Sequence, residues 1–199
     1  MFKKIYFILT LITLSSMFCL TSAYAAEDNY AILMNDKGEG YQVIINQDNI
    51  FRTSSEDGSL SQTVTVDLSN DNLIPLSAGK YETAWDSTGG IFARTDINLD
   101  TKSFQGLTLY RVNSVSGYWT FYDSSLTVSN PYLLIKTVGP SDVGAANEQV
   151  VYYPSNNFTR YSGFSKYALP SSYSSIGAYF SLSISRSGTN WTLSLPNYY

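Results

Sequence analysis

Ile91-Phe-Ala-Arg-Thr-Asp-Ile-Asn-Leu99 is the stretch that decides the fold, because Ile91, Ala93, Thr95, Ile97 and Leu99 fall on alternate positions. Successive side chains of a β-strand point to opposite faces, so this period of two predicts a strand with one face in a core. Thr63-Val-Thr-Val-Asp-Leu68 repeats the alternation with β-branched residues, which favour strands.

The remainder of the chain alternates between short apolar runs and turn-forming residues. Tyr30–Asn35 and Tyr41–Asn46 flank a glycine-containing turn, and Ile176–Ser185 and Asn190–Leu195 flank another, so both pairs are predicted hairpins. No stretch after the first 25 residues has a helical period over ten residues. About a dozen short strands predict an all-β, antiparallel β-sandwich, immunoglobulin-like or jelly-roll-like, with a small β-barrel as the alternative.

Leu76, Gly79 and Tyr81 form a short pattern of a leucine, a turn glycine and a tyrosine that enters a strand. This pattern resembles the corner of immunoglobulin-like and fibronectin-type sandwiches, in which a tyrosine hydroxyl bonds to the upstream backbone. The resemblance supports a sandwich and implies no function.

The alternation also predicts which side chains fill the core. Tyr132–Val138 is almost continuously apolar, which is typical of a strand covered on both faces. The predicted core consists of Val64, Val66, Trp85, Ile97, Leu109, Trp119, Leu134, Val151, Leu182 and Leu193.

The first 25 residues have the three parts of a secretory signal peptide: basic Lys3 and Lys4, an apolar run from Ile5 to Leu14, and the cleavage box Ala23-Tyr-Ala25. The run is shorter than the ~20 apolar residues of a spanning helix. We therefore predict residues 1–25 as a cleaved leader and 26–199 as a single all-β domain. The predicted location is secreted or periplasmic, with no spanning helix after cleavage.

Composition excludes several chemistries. The chain has no histidine, and its one cysteine lies in the leader, so histidine triads, thiolate nucleophiles and their metal sites are excluded. Loss of Lys3 and Lys4 with the leader changes the formal net charge from −4 to −6. The basic residues form no run, so neither nucleic acid nor an anionic membrane is an expected partner. No cofactor and no metal are predicted.

Two short motifs resemble a catalytic string and a calcium loop, but each is better explained by a structural role. Ser77-Ala-Gly-Lys80 matches the S-x-x-K string of serine acyl-enzymes, but it lies at a turn and lacks the companion motifs. Asp96-Ile-Asn-Leu-Asp100 begins like a calcium loop, but Thr101 and Leu107 stand where its glycine and glutamate should be.

The distinctive positive feature is aromatic content, with 17 tyrosines among 199 residues. Tyrosine offers a large contact area at low entropic cost, and serine, asparagine and glycine add adaptable hydrogen bonds. The irregular segment from Tyr152 to Tyr173 has this composition, which predicts a contact surface for carbohydrate or a protein. Its alternative role is a lid in which Phe158, Phe164 and Leu169 cover the sandwich. The predicted contact residues are Tyr152, Tyr153, Tyr161, Tyr167, Tyr173, Arg160 and Lys166.

The sequence therefore favours an exported, non-enzymatic binding module. An outer-membrane β-barrel is an alternative, because Trp191, Leu193 and Leu195 alternate before a terminal tyrosine, although Pro196 and Asn197 interrupt them. A glycan-active enzyme with two carboxylates is the other alternative, since such an enzyme needs no histidine. The ligand and the oligomeric state are left open.

Overall fold

The computed structural model describes residues 30–44, 50–54, 59–68, 73–76, 90–186 and 188–199. The predicted leader, Trp85, Gly79 and Tyr81 lie outside these ranges. Within them, every regular element is a β-strand, and no helix is long and apolar enough to cross a membrane. The strands are β1 (Tyr30–Asn35), β2 (Gly40–Ile44), β3 (Ile50–Ser54), β4 (Leu60–Asp67), β5 (Leu73–Pro75), β6 (Ile91–Phe104), β7 (Leu107–Phe121), β8 (Thr127–Ser141), β9 (Gly144–Tyr152), β10 (Phe158–Tyr161), β11 (Ser175–Arg186) and β12 (Thr189–Tyr198).

The strands form two antiparallel sheets. The seven-stranded sheet has the order β5-β2-β1-β12-β11-β8-β9, and the five-stranded sheet has the order β10-β7-β6-β4-β3. Both predicted hairpins are present, as β1–β2 and β11–β12. Each sheet has two edge strands, so the described strands form an open sandwich and not a closed barrel. The prediction of an antiparallel β-sandwich is confirmed.

The core lies between the two sheets and follows the alternation in the sequence. Ile91, Ala93, Ile97 and Leu99 of β6 are fully buried, and Phe180 of β11 packs between the two sheets. The ring of Phe180 lies 5.9 Å from that of Trp119 and 5.4 Å from that of Phe158, both on the five-stranded sheet. The predicted core residues that are confirmed as buried are Val64, Val66, Ile97, Leu109, Trp119, Leu182 and Leu193.

The prediction that Leu134 and Val151 lie in the core is wrong. Leu134 is half-buried and Val151 is 40% exposed. The two residues are partners in the β8–β9 ladder and point away from the core, whereas Leu133 and Ile135 point into it. β8 therefore has one buried face and one partly covered face, and the prediction that both faces are covered is also wrong. The sequence of β8 shows no alternation between apolar and polar residues, because several outward positions of this strand are apolar too.

β6 and β7 form a long hairpin that contains a bulge. Asn98 pairs with Ser114 and Leu99 with Val112, so Asn113 is an extra residue on β7. A bulge interrupts the ladder and needs other partners for its backbone. The Val112 N–H donates to Oγ1 of the buried Thr137 at 3.0 Å, and the Val112 carbonyl accepts from the Ser162 hydroxyl at 2.5 Å. These bonds join β7 to β8 and to the chain after β10.

A buried polar network also joins the sheets. The side-chain amide of Asn197 on β12 donates to the carbonyl of Thr95 at 2.9 Å and accepts from Nε2 of Gln62 at 2.9 Å. Gln62 Nε2 also donates to the Tyr198 carbonyl at 2.8 Å. Pro196 is next to Asn197. The ladder between β1 and β12 ends with the pair Ile32 and Ser194, and Pro196 lies beyond this pair. The N–H that proline lacks therefore costs no ladder bond. β12 therefore continues through the residues that interrupt its pattern.

Candidate functional site

The chain between β10 and β11, residues 162–174, forms a strap along one side of the sandwich. Its backbone is fastened at both ends. Ser162 N donates to the Asn113 carbonyl at 2.9 Å, and Ala168 exchanges two backbone bonds of 2.8 Å with Tyr110. Leu169 N donates to the Pro140 carbonyl at 2.7 Å. The strap therefore bonds to both sheets and has a defined conformation.

Charged side chains fix the middle of the strap. Arg111 binds Asp100, donates to the Phe164 carbonyl at 3.0 Å and lies 4.7 Å from the centre of the Tyr167 ring. Lys102, 2.6 Å from Asp142, lies 5.9 Å from the same ring. Tyr167 is half-buried beside these cations, and a cation above a ring face is attracted to it. This arrangement gives Tyr167 a structural role.

Glu148 on β9 holds the strap by accepting hydrogen bonds from its backbone. Its carboxylate accepts from Ser165 N at 3.0 Å and from Lys166 N at 2.8 Å. Burial acts to raise the pKa of Glu148, but these bonds favour the charged form more strongly, so its pKa lies below the ordinary value.

The predicted contact residues separate into two groups. Tyr152 is half-buried and donates its hydroxyl to the Tyr161 carbonyl at 2.8 Å, and Arg160 donates to the Thr159 carbonyl at 3.1 Å. The side chains of Tyr153, Tyr161 and Tyr173 are 76%, 70% and 88% exposed.

The apolar residues of the Tyr152–Tyr173 segment are placed as the alternative role, a lid over the sandwich, requires. Phe158 is buried against Phe180, and Phe164 packs on the core. The exposed residues do not converge on one spot. Tyr161 lies on β10 at the edge of the five-stranded sheet, Tyr173 lies just before β11, and exposed Lys166 lies on the strap.

Tyr153 belongs to a cluster of tyrosines on the outer face of the seven-stranded sheet. Its ring lies 6.0 Å from that of Tyr132 on β8, and the Tyr132 ring lies 6.4 Å from that of Tyr179 on β11. Tyr198 on β12 is close enough to Tyr132 and Tyr179 to interact electrostatically with both. We call Tyr132, Tyr153, Tyr179 and Tyr198 the tyrosine face. Sequence reasoning missed three of the four, because they come from three different strands and lie outside the Tyr152–Tyr173 segment.

The surroundings of the tyrosine face are polar but almost uncharged. The Tyr179 and Ser194 hydroxyls are hydrogen-bonded at 2.7 Å, and Ser181, Ser183 and Thr192 also point outward. Among the outward positions of β8, β11 and β12, all of which the structure describes, Lys136 is the one charged residue. The face therefore offers aromatic rings and hydroxyl groups to a ligand.

Two tyrosines are held in their neutral form. Burial, together with nearby Tyr179 and Tyr132, raises the pKa of Tyr198 to about 12. A hydrogen bond of 3.0 Å between the Tyr110 and Tyr199 hydroxyls, together with burial, raises the pKa of Tyr110 to about 12. Both pKa values exceed the ordinary 10.0 because folding favours the uncharged phenol.

In an alkaline titration followed by tyrosinate absorbance, we expect a late component near pH 12. The stabilisation linked to these phenols is fully present below pH 10.0 and is lost as the pH rises towards 12. Tyr198→Phe and Tyr110→Phe should each remove part of the late component. A single transition near the ordinary pKa, in protein that circular dichroism shows to be folded, would contradict this expectation.

The carboxylates whose partners are described have structural roles. Arg94 lies 2.8 Å from Asp96, and Arg186 lies 2.9 Å from Asp123. Asp100, Asp142 and Glu148 are bound by Arg111, Lys102 and the strap. No group of three or more Asp, Glu, His or Cys side chains suited to a metal ion occurs in the described part of the chain.

The fold and these surfaces define an antiparallel β-sandwich with an aromatic outer face. Comparison with protein-family models, with curated proteins and with solved structures finds no match for this chain.

Proposed function

We propose that this protein is an exported, non-enzymatic binding module that holds a neutral glycan on its tyrosine face. The observation that carries the proposal is an exposed tyrosine beside partly buried tyrosine rings, on a sheet surface with little charge. Tyr153, 76% exposed, stands beside the half-buried rings of Tyr132 and Tyr179. Large exposed apolar surface on a soluble domain is a common mark of an interaction site.

The chemistry of the face suits a sugar. The apolar C–H surface of a pyranose ring packs on an aromatic ring, while its hydroxyl groups need hydrogen-bond partners. The hydroxyls of Tyr179, Ser194 and Ser181 supply such partners around the rings. Because Lys136 is the one charged residue at the outward positions of these strands, the face favours a neutral ligand over a charged one.

A protein partner fits the composition less well. Protein interfaces are enriched in tryptophan, methionine and arginine in addition to tyrosine, and arginine and tryptophan often dominate their energetics. None of these three residue types takes an outward position on β8, β11 or β12. The neutral glycan is therefore the ligand to which we commit.

Tyr153→Ala should weaken retention on an insoluble neutral polysaccharide by at least roughly tenfold, because a central aromatic contact is worth about 2 kcal/mol. Cellulose, chitin and starch are the probes, with alginate as an acidic comparison, and binding is measured by depletion of the chain that begins near Ala26. The exposed ring contributes little to packing, so the melting temperature should be almost unchanged.

Tyr173→Ala is the matched control, since Tyr173 is 88% exposed and lies outside the tyrosine face. Its retention should equal that of the unchanged protein. Loss of binding in Tyr173→Ala together with normal binding in Tyr153→Ala would instead assign the site to the strap. Absence of retention on all three neutral polysaccharides would overturn the proposal.

A further inference from the structure

β9 is the one long edge strand among the four that border the described sheets. It has nine residues, whereas β5, β10 and β3 have three, four and five, and β5 ends in Pro75. Short strands and prolines are common ways to prevent a sheet edge from pairing with another chain. β9 lacks both.

The pairing of β8 and β9 shows which backbone groups point to the free edge. Ser141 and Gly144 close a two-residue hairpin, and the Pro140 carbonyl accepts from Leu169, on the side away from β9. Since the direction of backbone groups alternates along an antiparallel strand, odd-numbered residues of β8 bond to even-numbered residues of β9. The N–H and C=O groups of Ala145, Asn147, Gln149 and Val151 therefore point outward. All four residues are exposed.

No feature of β9 protects this edge. The strand contains neither lysine nor proline, and its nine pairs with β8 run without a bulge. Its one charged side chain, Glu148, points to the strap and is held there by Ser165 and Lys166. The free edge is therefore a neutral row of unpaired donors and acceptors.

We propose that β9 pairs antiparallel with β9 of a second copy of this chain. A register centred on Gln149 places Asn147 opposite the second copy's Val151 and keeps the two Glu148 carboxylates out of direct opposition. The edge is self-complementary in this register, as a two-fold interface requires. Val151 of this edge lies two residues before Tyr153 of the tyrosine face, so pairing joins two seven-stranded sheets and places both faces on one continuous surface. The inference does not depend on the ligand of that face.

The test is the oligomeric state of the exported chain, measured by sedimentation equilibrium and light scattering over a range of concentrations. We expect a monomer–dimer equilibrium. Gln149→Pro removes an outward N–H without removing a bond to β8, and should raise the dimer dissociation constant at least roughly tenfold. Gln149→Ser, which keeps the backbone donor, should dimerise like the unchanged protein.

Amide hydrogen exchange gives a second readout that identifies the edge. Asn147, Gln149 and Val151 should exchange more slowly in concentrated than in dilute protein, and Gln149→Pro should remove this difference. If Gln149→Pro fails to fold, Val151→Lys tests the same edge by placing a charge beside it. A chain that stays monomeric up to millimolar concentration, or a dimer unaffected by these substitutions, would overturn the proposal.

Discussion

Replacement of Asn197 by leucine is expected to lower the free energy of unfolding by about 3 kcal/mol, although the leucine side chain has the same number and branching of heavy atoms. The side chain of Asn197 is 1% exposed and bonds to Thr95 and Gln62 of the opposite sheet. Its removal takes away the Asn197 Oδ1 acceptor to which the buried Gln62 Nε2 donates at 2.9 Å. A buried donor or acceptor without its partner retains the cost of desolvation. Urea unfolding measures the change.

Two further variants separate this network from a general loss of packing. Asn190→Leu, at an exposed position of the same strand, should change stability by less than about 0.5 kcal/mol. Gln62→Leu combined with Asn197→Leu should cost less than the sum of the single changes, because the double variant removes both members of the pair. Strict additivity would show that the two amides do not act together.

The alternation in the sequence was sufficient to predict the architecture. Ile97 and Val64 lie in the core because a period of two with β-branched residues has no other stable arrangement. Leu134 and Val151 were mistaken for core because hydrophobicity does not say which face of a strand is inward. That decision depends on register, and register depends on neighbours distant in sequence. The bulge at Asn113 was invisible for the same reason, since its partners are Thr137 and Ser162.

The candidate site was harder to predict from the sequence than the fold. The sequence indicates a site only where tyrosines lie close together along the chain, and this is the segment Tyr152–Tyr173. The structure divides that segment among a strap, a strand edge and the tyrosine face, to which it contributes Tyr153. One sequence signal for the rest exists in retrospect: Tyr179 and Tyr198 stand next to residues of the core, Phe180 and Asn197, so alternation places them outward. The contact role of the segment stays a prediction.

Gly177→Ala is expected to destabilise the protein by about 3 kcal/mol, because two costs coincide at this position. Gly177 has a φ of 151°, which residues with a side chain rarely adopt. A β-carbon there would also lie 2.7 Å from the Cα of Tyr198. The obstacle is backbone, so it cannot be relieved by a rotamer change. Thermal and urea unfolding provide the measurement.

Gly144→Ala separates the two costs. Gly144 also has a positive φ, 103°, but a β-carbon there would meet no atom within 4 Å, so this variant carries the backbone cost alone, about 1 kcal/mol. The difference between the variants measures the contact between β11 and Tyr198. Displacement of Tyr198 should expose its phenol, so its pKa should fall from about 12 towards 10.0 in folded Gly177→Ala. If the two variants are equally stable and the pKa of Tyr198 is unchanged, the glycine is not what allows Tyr198 to lie against β11 and complete the tyrosine face.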